Sequence, residues 1–252
     1  MHVGDDSEIR PLVLISNSIP KSGSTFLFEL QKSFLINSLQ DFVCPGGGDY
    51  PDDLEFTADY LHNPDADSFL RYIEENDKRA GTSIVKVHRI VSKGLCDQIV
   101  KNPCVYMSLV VRDPIDIYLS ARDHFRRNGE FSEFGRPQTG VGIVNGYFSR
   151  IFDSVQEIST REKVSVVKYE DIILDPIDAL RQSLPSSVVE DLSNKEVERR
   201  LDLEEVKRRS SFRVNPDRKS RDDRFESDAE RGFVVLGLQD LRVRMGYESH
   251  EE

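Results

Sequence analysis

Residues 20–26, PKSGSTF, place a lysine, a glycine and three hydroxyl side chains between the apolar run PLVLIS at 11–16 and a segment whose Leu27, Leu30 and Phe34 fall on one helical face. A loop leading from a buried strand into a helix presents backbone N–H groups that no helical carbonyl satisfies, and the helix dipole adds positive potential there. Gly23 lets the backbone approach a ligand closely, Ser22, Ser24 and Thr25 supply hydroxyl donors, and Lys21 adds charge. That is the chemistry of a phosphate cradle. The pattern G-x-x-x-x-G-K-[ST] is absent, because Lys21 precedes the single glycine, and no magnesium-binding carboxylate pair stands out. A plain strand-to-helix turn with surface Ser and Lys is the other reading of the same residues.

The elements around this loop alternate. PLVLIS and CVYMSLVVR (104–112) are nearly continuous apolar runs, as expected of strands buried on both faces, and SIVKVH (83–88) and KVSVVKY (163–169) are further strands. Helices are expected from Ser24 onward, over 65–77, 92–102 and 143–158, over PIDIYLSARDHFRR with Pro at its first position, and over EDIILDPIDALRQSL with an interruption at Pro176. CPGGGDYPDD (44–53) and RNGEFSEFGRPQTGVG (127–142) read as loops, the second long enough to cover a site. From 187 to 232 charge dominates with little apolar periodicity. Strands alternating with helices imply an α/β fold of three layers, a mostly parallel sheet between helices, with ligands bound beyond the carboxyl ends of the strands.

The chain has 252 residues, of which 38% are hydrophobic and 31% charged, which suits one soluble domain with loose ends at 1–10 and 245–252. A net charge of −11 argues against broad nucleic-acid binding, so an anionic ligand needs a local cluster of Lys and Arg. Cys44, Cys96 and Cys104 are odd in number and match no zinc or redox spacing, as expected of reduced thiols in a cytoplasmic protein. MHVGDDSEIR lacks the apolar core of a secretion signal, and no apolar run approaches the ~18 residues of a membrane span.

PKSGSTF resembles the P-K-S-G-T-T-W loop of the PAPS-dependent sulfotransferases, which binds the 5′-phosphosulfate of 3′-phosphoadenosine 5′-phosphosulfate. VVRDPIDIYLSARDHF (110–125) is similar to the family's R-N-P-x-D-x-x-x-S segment, with Arg112 and Ser120 eight apart and Asp113 standing where Asn is common. By that resemblance Arg112 and Ser120 hold the 3′-phosphate, to which Arg offers planar bidentate donors. VKVHR (85–89) resembles the family's K-T-H at the end of another strand, which makes His88 the candidate base beside Lys86. Asp49, Asp52, Asp53 and Glu55 remain alternatives, because some branches use a carboxylate, and His124 is read as structural. VVKYED (166–171) and RRSSFR (208–213) are similar to segments lining the adenine, which implies contacts from Tyr169, Ser211 and Phe212; Phe26 replaces the usual stacking Trp. The family's R-K-G is represented only by PDRKSRDDRF, where Arg218 and Lys219 are candidates for the 3′-phosphate.

The resemblance implies in-line transfer of a sulfuryl group from PAPS to an acceptor oxygen or nitrogen, without a metal, leaving PAP. Lys21 would stabilise the leaving phosphate, His88 would take the acceptor proton, and Lys86 with the helix N–H groups would hold the sulfuryl oxygens. The acceptor expected is a hydroxylated small molecule. Phe131, Phe134, Tyr147 and Phe148 could line an apolar pocket, while Arg126, Arg127 and Arg136 could hold an anionic sugar. Neither nucleic acid nor membrane is expected as a partner, and oligomeric state is left open, a homodimer being one option. Two competing readings are a kinase of a nucleoside or small molecule and a nucleotide-binding module without activity; the first lacks its glycine pattern, and the second conflicts with the presence of Lys21, Arg112 and His88 together.

Overall fold

The computed structural model of the chain describes residues 12–18, 22–42, 55–61, 71, 81–87, 105–127, 136–159, 163–190, 192–210 and 220–247. Five strands form one sheet: β1 (Leu12–Ser18), β2 (Glu55–Leu61), β3 (Gly81–Val87), β4 (Val105–Val111) and β5 (Val164–Lys168). Their order is β2-β3-β1-β4-β5, and every pairing is parallel. The register puts Asn17 opposite both Val87 and Leu109, and Val111 opposite Lys168, so the carboxyl ends of β1, β3, β4 and β5 share one edge.

β4 shows why these runs become strands. Leu109 and Val111 point into one layer of side chains and Val110 into the other, and all three are buried. A strand sandwiched in this way has no polar face, so its sequence is an unbroken apolar run. The first layer is built by α2 (Pro114–Arg127), α3 (Pro137–Ser159) and α9 (Asp228–Arg244), the second by α1 (Ser24–Phe42) and the short helices α4 (Tyr169–Leu174), α5 (Pro176–Ser183), α6 (Ser186–Val189), α7 (Asn194–Arg199) and α8 (Leu203–Arg209). The expected three-layer α/β fold is therefore the observed one.

Local chemistry sets the helix ends. Asp113 caps α2 by accepting from the Ile115 N–H at 2.9 Å, with Pro114 in the first position and His124, Arg126 and Arg127 in the last turn. α5 restarts after the break as expected, because Asp175 accepts from the N–H groups of Ile177 and Asp178 and Pro176 opens the helix.

One expectation needs correction. Residues 137–142 are not loop: Pro137 opens α3, and Val141, Val144, Phe148 and Phe152 form its buried stripe. The Gly, Thr and Pro of that stretch look like a loop locally, yet a first-turn proline followed by one apolar face is helical. Within the charge-rich stretch after 187, the chain forms α7 and α8. Val189, Val197, Leu201 and Val206 each send one aliphatic side chain into the layer around α1, and α7 carries a full capping box between Ser193 and Glu196. Helices of one or two turns contribute a single core residue each, which leaves no periodicity to read. After α9, the Tyr247 hydroxyl donates to Glu170 at 2.8 Å, and Lys168 Nζ donates to the Gly246 carbonyl at 3.0 Å.

α9 carries no strong sequence signal beyond Ser227, which caps it by accepting from the Glu230 N–H. It is held by charge as much as by apolar contact. Glu230 is buried against α2, accepting from Tyr118 Oη at 2.9 Å, from Arg122 Nη1 at 2.7 Å and from the Glu226 N–H at 2.7 Å. Further along α2, Asp116 pairs with Arg221 at 3.0 Å and Asp123 with Arg224 at 2.9 Å.

Candidate functional site

The cradle read from residues 20–26 forms where β1 passes into α1. Gly23 has φ of +83°, in the left-handed region that side chains with a Cβ avoid. Phe26 N–H bonds back to the Gly23 carbonyl at 3.0 Å, starting the helix. By helix geometry the N–H groups of Ser24 and Thr25 have no carbonyl one turn behind them, so they are the natural anion donors of this terminus. Ser22 and Ser24 are buried.

Two other strand ends converge on this loop. Tyr169, the first residue after β5, lays its ring against the Gly23 backbone so closely that a Cβ at Gly23 would lie 2.2 Å from its Cδ2. The guanidinium carbon of Arg112, the first residue after β4, sits 4.2 Å from the centroid of the same ring. Gly23, Tyr169 and Arg112 are thus one packed unit, joined by close contact on one side and a cation–π interaction on the other. From β3, Lys86 reaches Thr25, its Nζ donating to Oγ1 at 2.6 Å. Lys86 is buried, and burial lowers its ammonium pKa while Glu29 on α1 opposes the shift.

That environment has a measurable consequence. If Lys86 must be charged to act on an anion, the alkaline limb of kcat/KM, which reports the free enzyme, falls below the ordinary lysine value of 10.5. Lys86→Arg should move that limb upward, because guanidinium does not titrate in this range. A limb that is the same in both proteins assigns it to another group.

The remaining expectations divide. Ser120 lies half-buried on α2, about 9 Å along the axis from Pro114 at 1.5 Å per residue. Phe26 is only 2% exposed and packs among Leu27, Leu30 and Phe34, so a base could stack on it only after a neighbour moved. Tyr147 and Phe148 contact edge to face with centroids 5.5 Å apart, and Phe148 is buried in the layer with α9, so it belongs to the core rather than to an open pocket. Arg126 pairs with Glu226, and Arg127 donates to the Asp123 carbonyl at 3.1 Å. His124 sits in the last turn of α2, edge to face with Phe125. Glu55 opens β2 opposite Gly81, at the amino edge of the sheet and away from the strand ends that carry the site. Lys21, His88, Ser211, Phe212, Arg218 and Lys219 lie outside the described residues, as do Asp49, Asp52, Asp53, Phe131, Phe134 and the three cysteines.

A sheet of this order with an anion-type loop after its central strand suits several transferases, and family comparison separates them. The model of the sulfotransferase domain matches residues 11–185, well over half of the chain. The chain belongs to the sulfotransferase family. Among solved structures, a mouse sulfotransferase, SULT7A1 complexed with PAP, superposes with a TM-score of 0.52 at 15% identity, covering 96% of this chain and 94% of that one. A sulfotransferase from Alicyclobacillus acidocaldarius gives a TM-score of 0.49 at 15% identity, with 95% and 97% covered. A retinol dehydratase in complex with androsterone and inactive cofactor PAP gives 0.48 at 15% identity, with 92% and 82% covered. At such identity the mouse structure speaks to the fold. No curated protein sequence matches the chain.

Beside these residues, this sulfotransferase holds an ion-pair cluster around Asp113. Asp113 was legible as a departure from the family's Asn, but its partners were not: it receives Arg242 Nε and Nη2 at 3.0–3.1 Å and Arg221 Nη2 at 3.1 Å. The D-P step at the head of a helix signals a cap, and nothing in the sequence points from there to α9. Among the described residues no helix is long and apolar enough to cross a membrane.

Proposed function

We propose that this sulfotransferase moves the sulfuryl group of PAPS to a hydroxyl of a small-molecule acceptor, releasing PAP. The observation that carries the reading is the convergence of the Gly23 loop, Arg112 and Lys86 at the carboxyl edge of a parallel sheet, where folds of this kind bind ligands. The mouse protein that shares the fold was solved with PAP.

The residues fit such a donor. The α1 terminus offers N–H and hydroxyl donors from Ser22, Ser24 and Thr25 to the 5′-phosphosulfate, and Gly23 admits it close to the backbone. Arg112, its guanidinium carbon 4.2 Å from the Tyr169 ring centroid, is the residue assigned to the 3′-phosphate. Lys86, tied to Thr25, is placed to stabilise negative charge on the sulfuryl oxygens. Lys21 would act on the leaving phosphate, and His88 would receive the acceptor proton. Positioning and charge stabilisation carry reactions of this kind, as in phosphoryl transfer. A reduced, cytoplasmic setting matches the three cysteines.

Calorimetric titration with PAP, with ATP and magnesium as the control, tests the donor site. Wild type should prefer PAP, and Arg112→Ala should weaken PAP by about 100-fold, the size of effect seen when one partner of a desolvated charge pair is truncated. Undiminished PAP affinity in that variant removes Arg112 from the site, and a preference for ATP with magnesium restores the kinase reading. His88→Ala should lower turnover by roughly 100-fold while PAP binding stays as in wild type. Unchanged turnover would leave a carboxylate among 49–53 as the base to test next.

A further inference from the structure

Asp113 poses an electrostatic problem. Its carboxylate directly follows Arg112, the residue assigned to an incoming phosphate, and its side chain is 3% exposed. An unneutralised buried carboxylate at that point would repel the phosphate and compete for the Arg112 guanidinium. An Asn there would do neither. The structure answers the charge from the far end of the chain. Arg242 of α9, itself only 4% exposed, grips both carboxylate oxygens, its Nε 3.1 Å from each and its Nη2 3.0 Å from Oδ2. Arg221 adds Nη2 at 3.1 Å and shares itself with Asp116 at 3.0 Å. Among the described residues Asp113 also accepts from the Ile115 N–H, which starts α2.

Resting on the reading of Arg112 as the 3′-phosphate ligand, we propose that Arg242 and Arg221 are positioning residues for the donor. They neutralise Asp113, so that Arg112 keeps both its place over Tyr169 and its charge for the 3′-phosphate. The C-terminal helix, beyond the segment matched by the family model, is then part of the nucleotide site without touching the nucleotide. Its docking next to the strand ends supports this: Tyr247 bonds Glu170 and lies 4.9 Å, centroid to Nζ, from Lys168, immediately before Tyr169.

The test compares PAP with 5′-AMP, which lacks the 3′-phosphate, by calorimetry on wild type, Arg112→Ala, Arg242→Gln, Arg221→Gln and the double variant Arg242→Gln with Asp113→Asn. Arg112→Ala checks the underlying reading alone: it should lose PAP affinity but not AMP affinity, and equal loss of both overturns that reading whatever the other variants do. Given that result, Arg242→Gln should weaken PAP on the order of tenfold, the size of coupling between contacting groups, with AMP unchanged. Asp113→Asn in the same chain should restore PAP binding, because it removes the carboxylate that Arg242 neutralised. Arg221→Gln, at a more exposed site that a folded protein tolerates, should weaken PAP in the same selective way by about threefold. PAP affinity unchanged in both single variants, or PAP and AMP lost in parallel, overturns the proposal. Failure of the double variant to recover PAP binding while it melts like wild type also overturns it.

Discussion

Gly23→Ala should lose PAP binding by about 100-fold or more while the chain stays folded. Two effects act together. An alanine held at the φ of +83° found there pays about 1 kcal/mol that glycine does not. The larger effect is steric, because the new Cβ would sit 2.2 Å from Tyr169 Cδ2 and 2.4 Å from Cε2, far inside contact distance. The ring has little room to retreat. Its backbone follows directly on β5, whose Lys168 is paired with Val111, and Arg112 packs on it at 4.2 Å. The loop must therefore shift away from its N–H geometry or the ring must displace Arg112, and either change removes donors from the anion. The overall fold survives, since the strain is confined to one turn; a cost of about 2–4 kcal/mol corresponds to a fall of about 4–16 °C in Tm for a chain of this size. Tyr169→Ala added to Gly23→Ala relieves the clash and should recover part of the binding. Full PAP affinity in Gly23→Ala alone would show that the loop does not approach the nucleotide as drawn.

Glu230→Ala should be strongly destabilising. The carboxylate satisfies Tyr118 and Arg122 on α2 and the Glu226 amide, and Arg122 is 4% exposed. Removing it leaves the buried guanidinium to the more exposed Asp123, at 3.0 Å, and takes the acceptor from Tyr118 and the Glu226 amide, a loss of about 2–4 kcal/mol, which corresponds to roughly 4–16 °C in Tm at this chain length. Glu230→Gln, which keeps an acceptor and the packing, should cost clearly less. The pH dependence has a defined sign. Burial pushes the Glu230 carboxyl up, but the Glu226 amide, Arg122 and Tyr118 outweigh it and hold the pKa below its ordinary value of 4.5. A carboxyl depressed in the folded state contributes stability in full above 4.5, and that contribution is lost as pH falls through the lowered value. Acid unfolding followed by circular dichroism should therefore be steeper for wild type than for Glu230→Gln. Equal Tm for Glu230→Ala and wild type would mean that α9 is held by its apolar stripe alone. Because α9 also carries Arg242, partial undocking in these variants should weaken PAP binding before the whole chain unfolds.

Much of this protein is decided by neighbours a few residues apart. The apolar runs at 12–18 and 105–111 can only be strands buried on both faces. Asp113-Pro114 and Asp175-Pro176 start helices through bonds to N–H groups two or three residues on. The glycine of the cradle sits where a strand turns into a helix. Capping, periodicity and loop chemistry are local, so four of the five strands, the anion loop and Arg112 at a strand end are readable from the chain alone; β2 at Glu55–Leu61 is not. Other features depend on partners far away in sequence. Glycines and a proline made 137–142 look like a loop until Val141 and Val144 found α9. Four aliphatic residues scattered through a charged stretch became core only because α1 was there to receive them. Phe26 looked like a platform for a base until its neighbours enclosed it. Asp113 and Arg242 are 129 residues apart, and an ion pair follows no spacing rule, so no pattern in the sequence could join them. The chain by itself determined which chemistry stands at the sheet edge; the tertiary structure decided what surrounds and neutralises it, because burial and charge pairing depend on which distant surfaces the fold brings together.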